Sequence, residues 1–266
     1  MSEPAGVAAA LHEAVGEVLI GMDETVDRLT IALLTRGHVL LEGVPGVAKT
    51  TLANSFASAL GLSYARIQLT PDVLPADITG TTVYREHTGE FELQKGPIFA
   101  NVVVADEINR ASPKTQSALL EAMAERHVSI EGQTLSLPEP FMVIATQNPI
   151  EMEGTFELAE AQRDRFQQKL TVDLPERETE RAILDRFGRA PTLGPANVEQ
   201  AVSRADVVAA RERVSEIHVS DAVRDYVLDV VAATRDHTDV VHGASPRASL
   251  ALVETAKARV NPTAWR

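Results

Sequence analysis

The sequence contains no cysteine, few basic residues and no long apolar run, and each of these shortages excludes a class of protein. Without cysteine, neither a disulfide framework nor a cysteine-ligated metal site is available. Lysine and arginine total 25 against 38 aspartates and glutamates, which gives a formal net charge of −13. Because affinity for nucleic acid and for anionic membranes depends on Lys and Arg, this composition argues against a general binder of either.

Membrane insertion and secretion are not expected either. No apolar run approaches the ~20 residues that a transmembrane helix needs, and the first residues lack the basic and apolar segments of a signal peptide. We therefore expect a soluble cytoplasmic protein. Its 266 residues, 44% of them hydrophobic, are enough for one large domain, or for a domain plus a smaller one.

What the chain does contain is an alternation of strand and helix patterns, which predicts an α/β fold with a mostly parallel sheet covered by helices. A helical region over 5–35 is expected to break near Gly21, and another helix to begin at Ser112-Pro113. Strands are predicted at 38–42, 64–69, 102–105 and 141–145, and hairpins at 82–94 and 128–137. Beyond residue 174 the pattern is helical. We therefore predict an α/β core over 1–174 and a small helical domain over 175–266.

Residues 43–50 read GVPGVAKT and lie between a predicted strand and a predicted helix. In a phosphate-binding loop with this order, backbone N–H groups converge on phosphate oxygens and the helix adds its positive N-terminal end. Lys49 would reach the outer phosphates, and the Thr50 hydroxyl would join a magnesium shell. The usual pattern has a glycine at position 48, where this chain has alanine. Taken alone, the segment also fits a glycine-rich turn with an exposed lysine.

Polar residues follow two of the predicted buried strands, where open α/β sheets bind ligands. Asp106 and Glu107 end the strand at 102–105, and we assign Asp106 to a metal and Glu107 to the activation of water. Asn148 follows the strand at 141–145, and its amide is suited to bind the attacking water or a phosphate. The alternatives are an ordinary acidic turn and a turn asparagine before proline.

Five segments of the chain read GVPGVAKT, TPDVLPADITGTTVY, GPIFANVVVADEINRASPKTQSALLEAM, ATQNPIEMEGTFELAEAQRDRF and GASPRASLAL. Taken together and in order, they resemble the MoxR family of AAA+ ATPases over about residues 16–258. These long strings are more specific than any single motif, and the family itself has alanine at position 48. The resemblance implies a P-loop AAA+ core followed by a helical lid, with ATP or ADP and Mg²⁺ bound between them.

The resemblance also implies a role for each site residue. Walker A binds the nucleotide, Walker B holds the metal and activates water, and sensor 1 contacts the outer phosphate. The matching positions are Gly43, Val44, Pro45, Gly46, Val47, Ala48, Lys49, Thr50 and Thr51 for Walker A, Asp106 and Glu107 for Walker B, and Asn148 for sensor 1.

Three further matches depend more heavily on the family. Arg165 corresponds to an arginine finger that reaches the nucleotide of a neighbouring subunit, and Arg247 to sensor 2, which reaches the phosphates from the lid. Gly21 corresponds to the segment near adenine. Without the family, surface ion pairs and a helix break are the alternatives. The sequence departs from the family pattern around the finger, notably at Arg163 and at Gln167-Gln168.

By resemblance, the protein hydrolyses ATP in a ring, expected to be a hexamer, and remodels or assembles client protein complexes with a von Willebrand factor A domain partner. Some relatives assist metal insertion. Two other functions fit parts of the sequence. A nucleic-acid motor of the MCM type shares the two hairpins, but its hairpin tips would be basic, whereas these carry mixed charge. A non-hydrolysing nucleotide switch would lack the carboxylate that Glu107 supplies.

Overall fold

The structure is a computed structural model that describes residues 3–87, 89–149, 155–188 and 194–259. Its helices are α1 (Pro4–Gly16), α2 (Asp23–Leu34), α3 (Lys49–Ala59), α4 (Pro75–Thr79), α5 (Pro113–Glu125), α6 (Glu160–Arg163), α7 (Arg177–Phe187), α8 (Arg204–Glu216), α9 (Asp221–Asp236) and α10 (Pro246–Arg259). Its strands are β1 (Val39–Glu42), β2 (Leu60–Gly61), β3 (Tyr64–Gln68), β4 (Gly80–Arg85), β5 (Glu90–Lys95), β6 (Val102–Asp106), β7 (His127–Ile130), β8 (Gln133–Ser136), β9 (Met142–Gln147), β10 (Gln168–Thr171) and β11 (Val202–Ser203).

A five-stranded parallel sheet in the order β10-β1-β9-β6-β3 forms the centre of the molecule. Every residue of β6 is buried, because helices cover both faces of the sheet and leave the strand no contact with water. Two apolar clusters lie on the two faces, and alternate residues of β1, β6 and β9 point into each of them. The predicted α/β fold with a mostly parallel sheet is confirmed, and the four predicted strands are present within two residues of their expected ends.

Parallel strands give the sheet two unlike edges. At the carboxyl edge lie the segments that follow β1, β6 and β9, which are the predicted phosphate loop, the acidic pair and the asparagine. At the amino edge lies the segment Asp164–Gln167, which immediately precedes β10 and contacts the start of β1 through a hydrogen bond from Gln167 N to His38 O of 2.9 Å. A four-residue strand at ~3.3 Å per residue separates the two edges by roughly 13 Å.

Both predicted hairpins are present. Strands β4 and β5 pair antiparallel, as do β7 and β8. The first hairpin carries an aromatic pair, Tyr84 and Phe91, whose ring centroids lie 5.2 Å apart and whose side chains are largely exposed. The helix predicted at Ser112-Pro113 is α5, and the Ser112 Oγ accepts a hydrogen bond from Thr115 N.

The region after residue 174 is helical in α7, α8, α9 and α10, with one exception that the sequence did not predict. The two-residue strand β11 pairs in parallel with β2 of the preceding region. Val207, Ala210 and Val214 of α8 are buried in the same apolar cluster as α1 and α2. The helical region is therefore joined to the α/β region by both backbone and side-chain contacts, and the division at residue 174 stays a prediction. In the described ranges, no helix has the length and apolar character needed to cross a bilayer.

Candidate functional site

The loop between β1 and α3 follows a path that depends on its glycines. An added Cβ at Gly43 would lie 2.3 Å from the carbonyl oxygen of Val172, so only glycine fits against the end of β10. Gly46 has a φ of +93° and Ala48 a φ of 62°, both in the left-handed region. Glycine enters that region freely, whereas alanine is strained there. The strained Ala48 immediately precedes α3, whose first residue is Lys49.

Lys49 points back into this loop and is buried. Its Nζ donates to Gly43 O at 2.5 Å, to Val44 O at 2.9 Å and to Asn148 Oδ1 at 3.0 Å. Burial lowers the pKa of Lys49, while the charges of Glu107 and Asp106 act to raise it. The ammonium therefore lies within the curve of the loop and contacts the asparagine at the end of the neighbouring strand.

Asp106 is buried and accepts hydrogen bonds from three side chains. Its Oδ1 accepts from Thr50 Oγ1 at 2.9 Å and from Thr146 Oγ1 at 3.2 Å, and its Oδ2 accepts from Arg66 Nε at 2.7 Å. A buried carboxylate is costly unless it is paired and hydrogen-bonded, and these donors supply that compensation. They also hold the carboxylate beside the first turn of α3.

Glu107 occupies a left-handed conformation, with a φ of 57°, directly after β6. Its N–H donates to Thr146 Oγ1 at 3.0 Å, which connects it to β9. Its carboxylate Oε2 accepts from Arg110 NH1 at 2.9 Å and from Gln68 Nε2 at 3.3 Å. These bonds fix the direction of the Glu107 side chain at the carboxyl edge, directly beside Asp106.

Asn148 is bound from two sides. Its Oδ1 accepts from Lys49, and its backbone oxygen accepts from Asn109 Nδ2 at 3.1 Å. Because Asn109 lies two residues after Glu107, the asparagine is connected both to the phosphate loop and to the turn that carries the acidic pair. The structure thus brings together Lys49, Thr50, Asp106, Glu107 and Asn148, as the sequence predicted.

The residues at this edge suit a magnesium ion that is bound together with phosphates. Thr50 and Asp106 place a hydroxyl and a carboxylate oxygen 2.9 Å apart, and Mg²⁺ prefers such oxygen ligands. Within the parts of the chain that the structure describes, no group of three or more His, Cys, Asp or Glu residues could hold a metal by itself. A metal here would need its remaining ligands from phosphate and water, as Mg²⁺ in nucleotide sites usually does.

The two predicted arginines do not join this cluster. Arg165 lies at the amino edge, where its NH1 donates to Leu120 O at 3.3 Å. Arg247, at the start of α10, donates from NH1 to the backbone oxygen of Asp164 at 3.1 Å and to its Oδ2 at 3.3 Å. Both arginines line one pocket at that edge. Arg247 therefore lies at the edge of the sheet opposite this chain's own phosphate loop. The expectation that it reaches the phosphates from the lid stays a prediction.

Gly21 lies in the turn between α1 and α2, with a φ of +76°. A Cβ there would meet the side chain of Thr179 on α7 at 2.6 Å. Arg186, on the same helix, donates to Gly16 O at 2.8 Å and also bonds Glu17 O. The turn and α7 are therefore in close contact. The position of Gly21 near adenine stays a prediction.

Sequence reasoning missed several residues of the site. Arg66, Gln68, Asn109, Arg110 and Thr146 all bind a predicted site residue. Arg66 and Gln68 stand two residues apart in β3, up to its carboxyl end, and this spacing places both on one face of the strand. The pattern is visible in the sequence and could have identified them. Arg110 binds Glu107 only three residues away, whereas Asn109 and Thr146 act between the ends of neighbouring strands, and their contacts depend on the strand order.

The departures from the family pattern near Arg165 have structural partners here. The side chain of Gln167 packs against Gly37, where an added Cβ would lie 2.0 Å from its Oε1, and that oxygen accepts from Thr35 Oγ1 at 2.9 Å. Gln168 Nε2 donates to Arg28 O at 3.4 Å. Both glutamines, at positions where the family pattern has apolar residues, therefore have hydrogen-bond partners just before and at the start of β10.

Comparison with known proteins agrees with this geometry. A family model described as the ATPase family associated with various cellular activities (AAA) matches residues 38–168. The chain is 47% identical to Chaperone MoxR1 of Mycobacterium tuberculosis, over 95% of this chain and 70% of that protein. It is 35% identical to Protein MoxR of Paracoccus denitrificans, over 92% and 78% of the two chains.

A solved structure from Cytophaga hutchinsonii, described as that of a candidate ATPase, is also similar. It superposes with a TM-score of 0.85 at 40% identity, covering 96% of this chain and 79% of the other. The fold, the order of the motifs and the identity to MoxR proteins over most of the chain agree with one another. This chain belongs to the MoxR family of AAA+ ATPases.

Proposed function

We propose that this protein binds ATP with Mg²⁺ at the carboxyl edge of its sheet and hydrolyses it to ADP and phosphate. The observation that carries the proposal is the connected cluster of Lys49, Thr50, Asp106, Glu107 and Asn148. These residues come from the start of α3, which follows β1, and from the ends of β6 and β9, and hydrogen bonds join the three places. Membership of an ATPase family supports the same reaction.

Each residue has a role that follows from its position. The loop N–H groups from Gly43 to Thr51, all but that of Pro45, which has none, would bind the phosphates. The Lys49 ammonium would exchange its carbonyl partners for phosphate oxygens. Thr50 and Asp106 would hold Mg²⁺, which neutralises charge on the phosphates. Glu107 would orient and deprotonate the attacking water, and Asn148 would align that water with the outer phosphate.

The positions of Arg165 and Arg247 support a site that is shared between subunits. Both lie at the amino edge, roughly 13 Å or more from this chain's own loop by strand length alone. An arginine that stabilises the transferred phosphate from that edge must act on another copy of the chain. We therefore propose a homo-oligomeric ring, with a hexamer as the expected form, in which both arginines complete the neighbour's site.

The use of the hydrolysis is proposed from the relatives. One of them is named a chaperone, which supports work on protein clients. We propose a cytoplasmic motor that remodels or assembles protein complexes with a von Willebrand factor A domain partner. The exposed Tyr84 and Phe91 pair of the first hairpin supports contact with protein rather than nucleic acid, because the charges beside it are mixed.

Two substitutions separate binding from chemistry. Lys49→Ala removes the ammonium from the loop, and we expect it to lose ATP affinity. Glu107→Gln keeps the loop and the metal ligands, and we expect it to bind Mg²⁺-ATP while hydrolysing it ~100-fold more slowly, the range for a lost general base. Nucleotide titration and phosphate release measure the two effects.

The control for this experiment is Glu90→Gln, which removes an exposed carboxylate from the first hairpin, away from the site. We expect it to keep both affinity and turnover. Full turnover by Glu107→Gln would refute the assignment of the general base, and an inactive wild-type protein in its assembled form would refute the proposed reaction.

A further inference from the structure

Asp164, a residue of the α/β region, binds two side chains of the helical region, Ser245 and Arg247. Its Oδ1 accepts from Ser245 Oγ at 2.9 Å, and its Oδ2 and backbone oxygen both accept from Arg247 NH1. Asp164 directly follows α6 and directly precedes Arg165. The start of α10 is therefore attached to the residue next to the proposed finger.

The way in which Arg247 is bound leaves most of its guanidinium available. Only NH1 takes part in the contact, whereas an arginine that is fully engaged by a carboxylate commonly uses two nitrogens in parallel. Among the described residues, no other hydrogen bond of this side chain is found, and 55% of it is exposed. The contact thus sets the direction of Arg247 and keeps further N–H groups free for another ligand.

Asp164 also offsets an electrostatic cost. Arg165 and Arg247 line the same pocket, so two positive charges face one space, where like charges repel each other. The carboxylate of Asp164 pairs with Arg247, and Asp164 directly precedes Arg165 in the chain. Removing it would free Arg247 to turn away from Arg165 into solvent.

We propose that Asp164 is a positioning residue that holds Arg247 beside Arg165, so that both arginines meet the phosphates of a neighbouring subunit as one unit. This inference rests on the proposed ATPase function. In this arrangement the carboxylate of Asp164 fixes the position of Arg247 in one subunit, and that position determines the rate of hydrolysis in the neighbouring subunit. A rotation of α10 would move Arg247 and thereby change the rate in the neighbour.

The test is a double-mutant cycle on the full chain in its assembled form. The variants are Asp164→Ala, Arg247→Ala and the double substitution, and the measurements are kcat, KM for ATP and nucleotide affinity. We expect Asp164→Ala to lower kcat on the order of 10- to 100-fold, the loss typical of a misplaced catalytic group, with nucleotide affinity little changed. Because Asp164 acts through Arg247, the double variant should be no slower than Arg247→Ala.

Two further variants keep the result decisive. Asp164→Asn keeps one of the two side-chain oxygen acceptors and the backbone oxygen that accepts from Arg247, so it should keep more activity than Asp164→Ala. It takes the place of the alanine variant if that one fails to fold. Glu160→Gln changes the contact between Glu160 Oε2 and His242 Nε2, at 3.4 Å, which also joins α6 to the helical region but involves neither arginine. It should leave kcat nearly unchanged.

Independent, additive losses in the cycle would overturn the inference, as would full activity of Asp164→Ala. Either result, obtained with an active wild-type protein, leaves the proposed ATPase function standing. If the assembled wild-type protein is inactive, the proposed ATPase function is refuted, and the positioning role of Asp164 is refuted with it. The activity of the wild-type protein therefore distinguishes the two failures.

Discussion

At the scale of single residues, Ala48 shows how this loop tolerates a departure from the usual glycine. Its φ of 62° costs alanine ~1 kcal/mol relative to glycine, while glycine costs a similar amount in chain entropy when the protein folds. We therefore expect Ala48→Gly to keep ATP affinity and to change the free energy of unfolding by less than ~1 kcal/mol. Ala48→Val should lower both, because a β-branched side chain is stiffer and more crowded at positive φ.

Thermal unfolding and nucleotide titration measure these two effects. Ala9→Val is the matched control, because Ala9 is exposed in the helix α1. This substitution measures the effect of replacing alanine by valine where the backbone is not left-handed. If Ala48→Val matched the control in both stability and affinity, the strain at Ala48 would have no role in the shape of the loop.

At the scale of elements, His38 connects three of them at the amino edge. His38 directly precedes β1. Its Nδ1 accepts from Val143 N in β9 at 2.9 Å, and its Nε2 lies 3.2 Å from Met123 O in α5. Burial lowers the pKa of His38 from 6.5 to about 4, although the bond to Met123 acts to raise it. Protonation would cost Nδ1 its role as acceptor, so this junction depends on the neutral ring.

The pH dependence of stability follows from this pKa. The unfolded chain takes up a proton near pH 6.5 and the folded chain only near pH 4, so the contribution of His38 is complete above pH 6.5 and is lost as pH falls towards 4. The loss amounts to about 3 kcal/mol in the free energy of unfolding. His38→Gln should flatten this slope in denaturant titrations, whereas His127→Gln, in β7, should not. An unchanged slope in His38→Gln would contradict the assignment.

At the scale of the whole molecule, the two edges of the sheet divide the proposed catalytic residues into two sets. The phosphate loop and the acidic pair lie at one edge, and Arg165 and Arg247 lie at the other. We expect Arg165→Ala to bind ATP nearly normally and to hydrolyse it ~10³-fold more slowly. Mixed with Lys49→Ala protomers, it should regain part of its activity, because some interfaces then join an intact loop to an intact finger.

Phosphate release by the mixture, compared with each variant alone at the same total concentration, measures this recovery. Size-exclusion chromatography shows whether the mixed protomers assemble. A mixture that assembles but stays inactive, or an active monomer at all concentrations, would exclude the shared site and leave Arg165 as a structural residue.

The sequence by itself determined the strand and helix alternation, the phosphate loop, the acidic pair and the family, because each depends on residues that are close along the chain. Only the tertiary structure decided which groups surround the carboxylate of Asp106 and where Arg247 lies. Arg66 and Thr146 each reach Asp106 from 40 residues away, and Arg247 reaches Asp164 from 83 residues away. Such contacts depend on the order and direction of the strands and on the packing of α10, which local patterns do not encode.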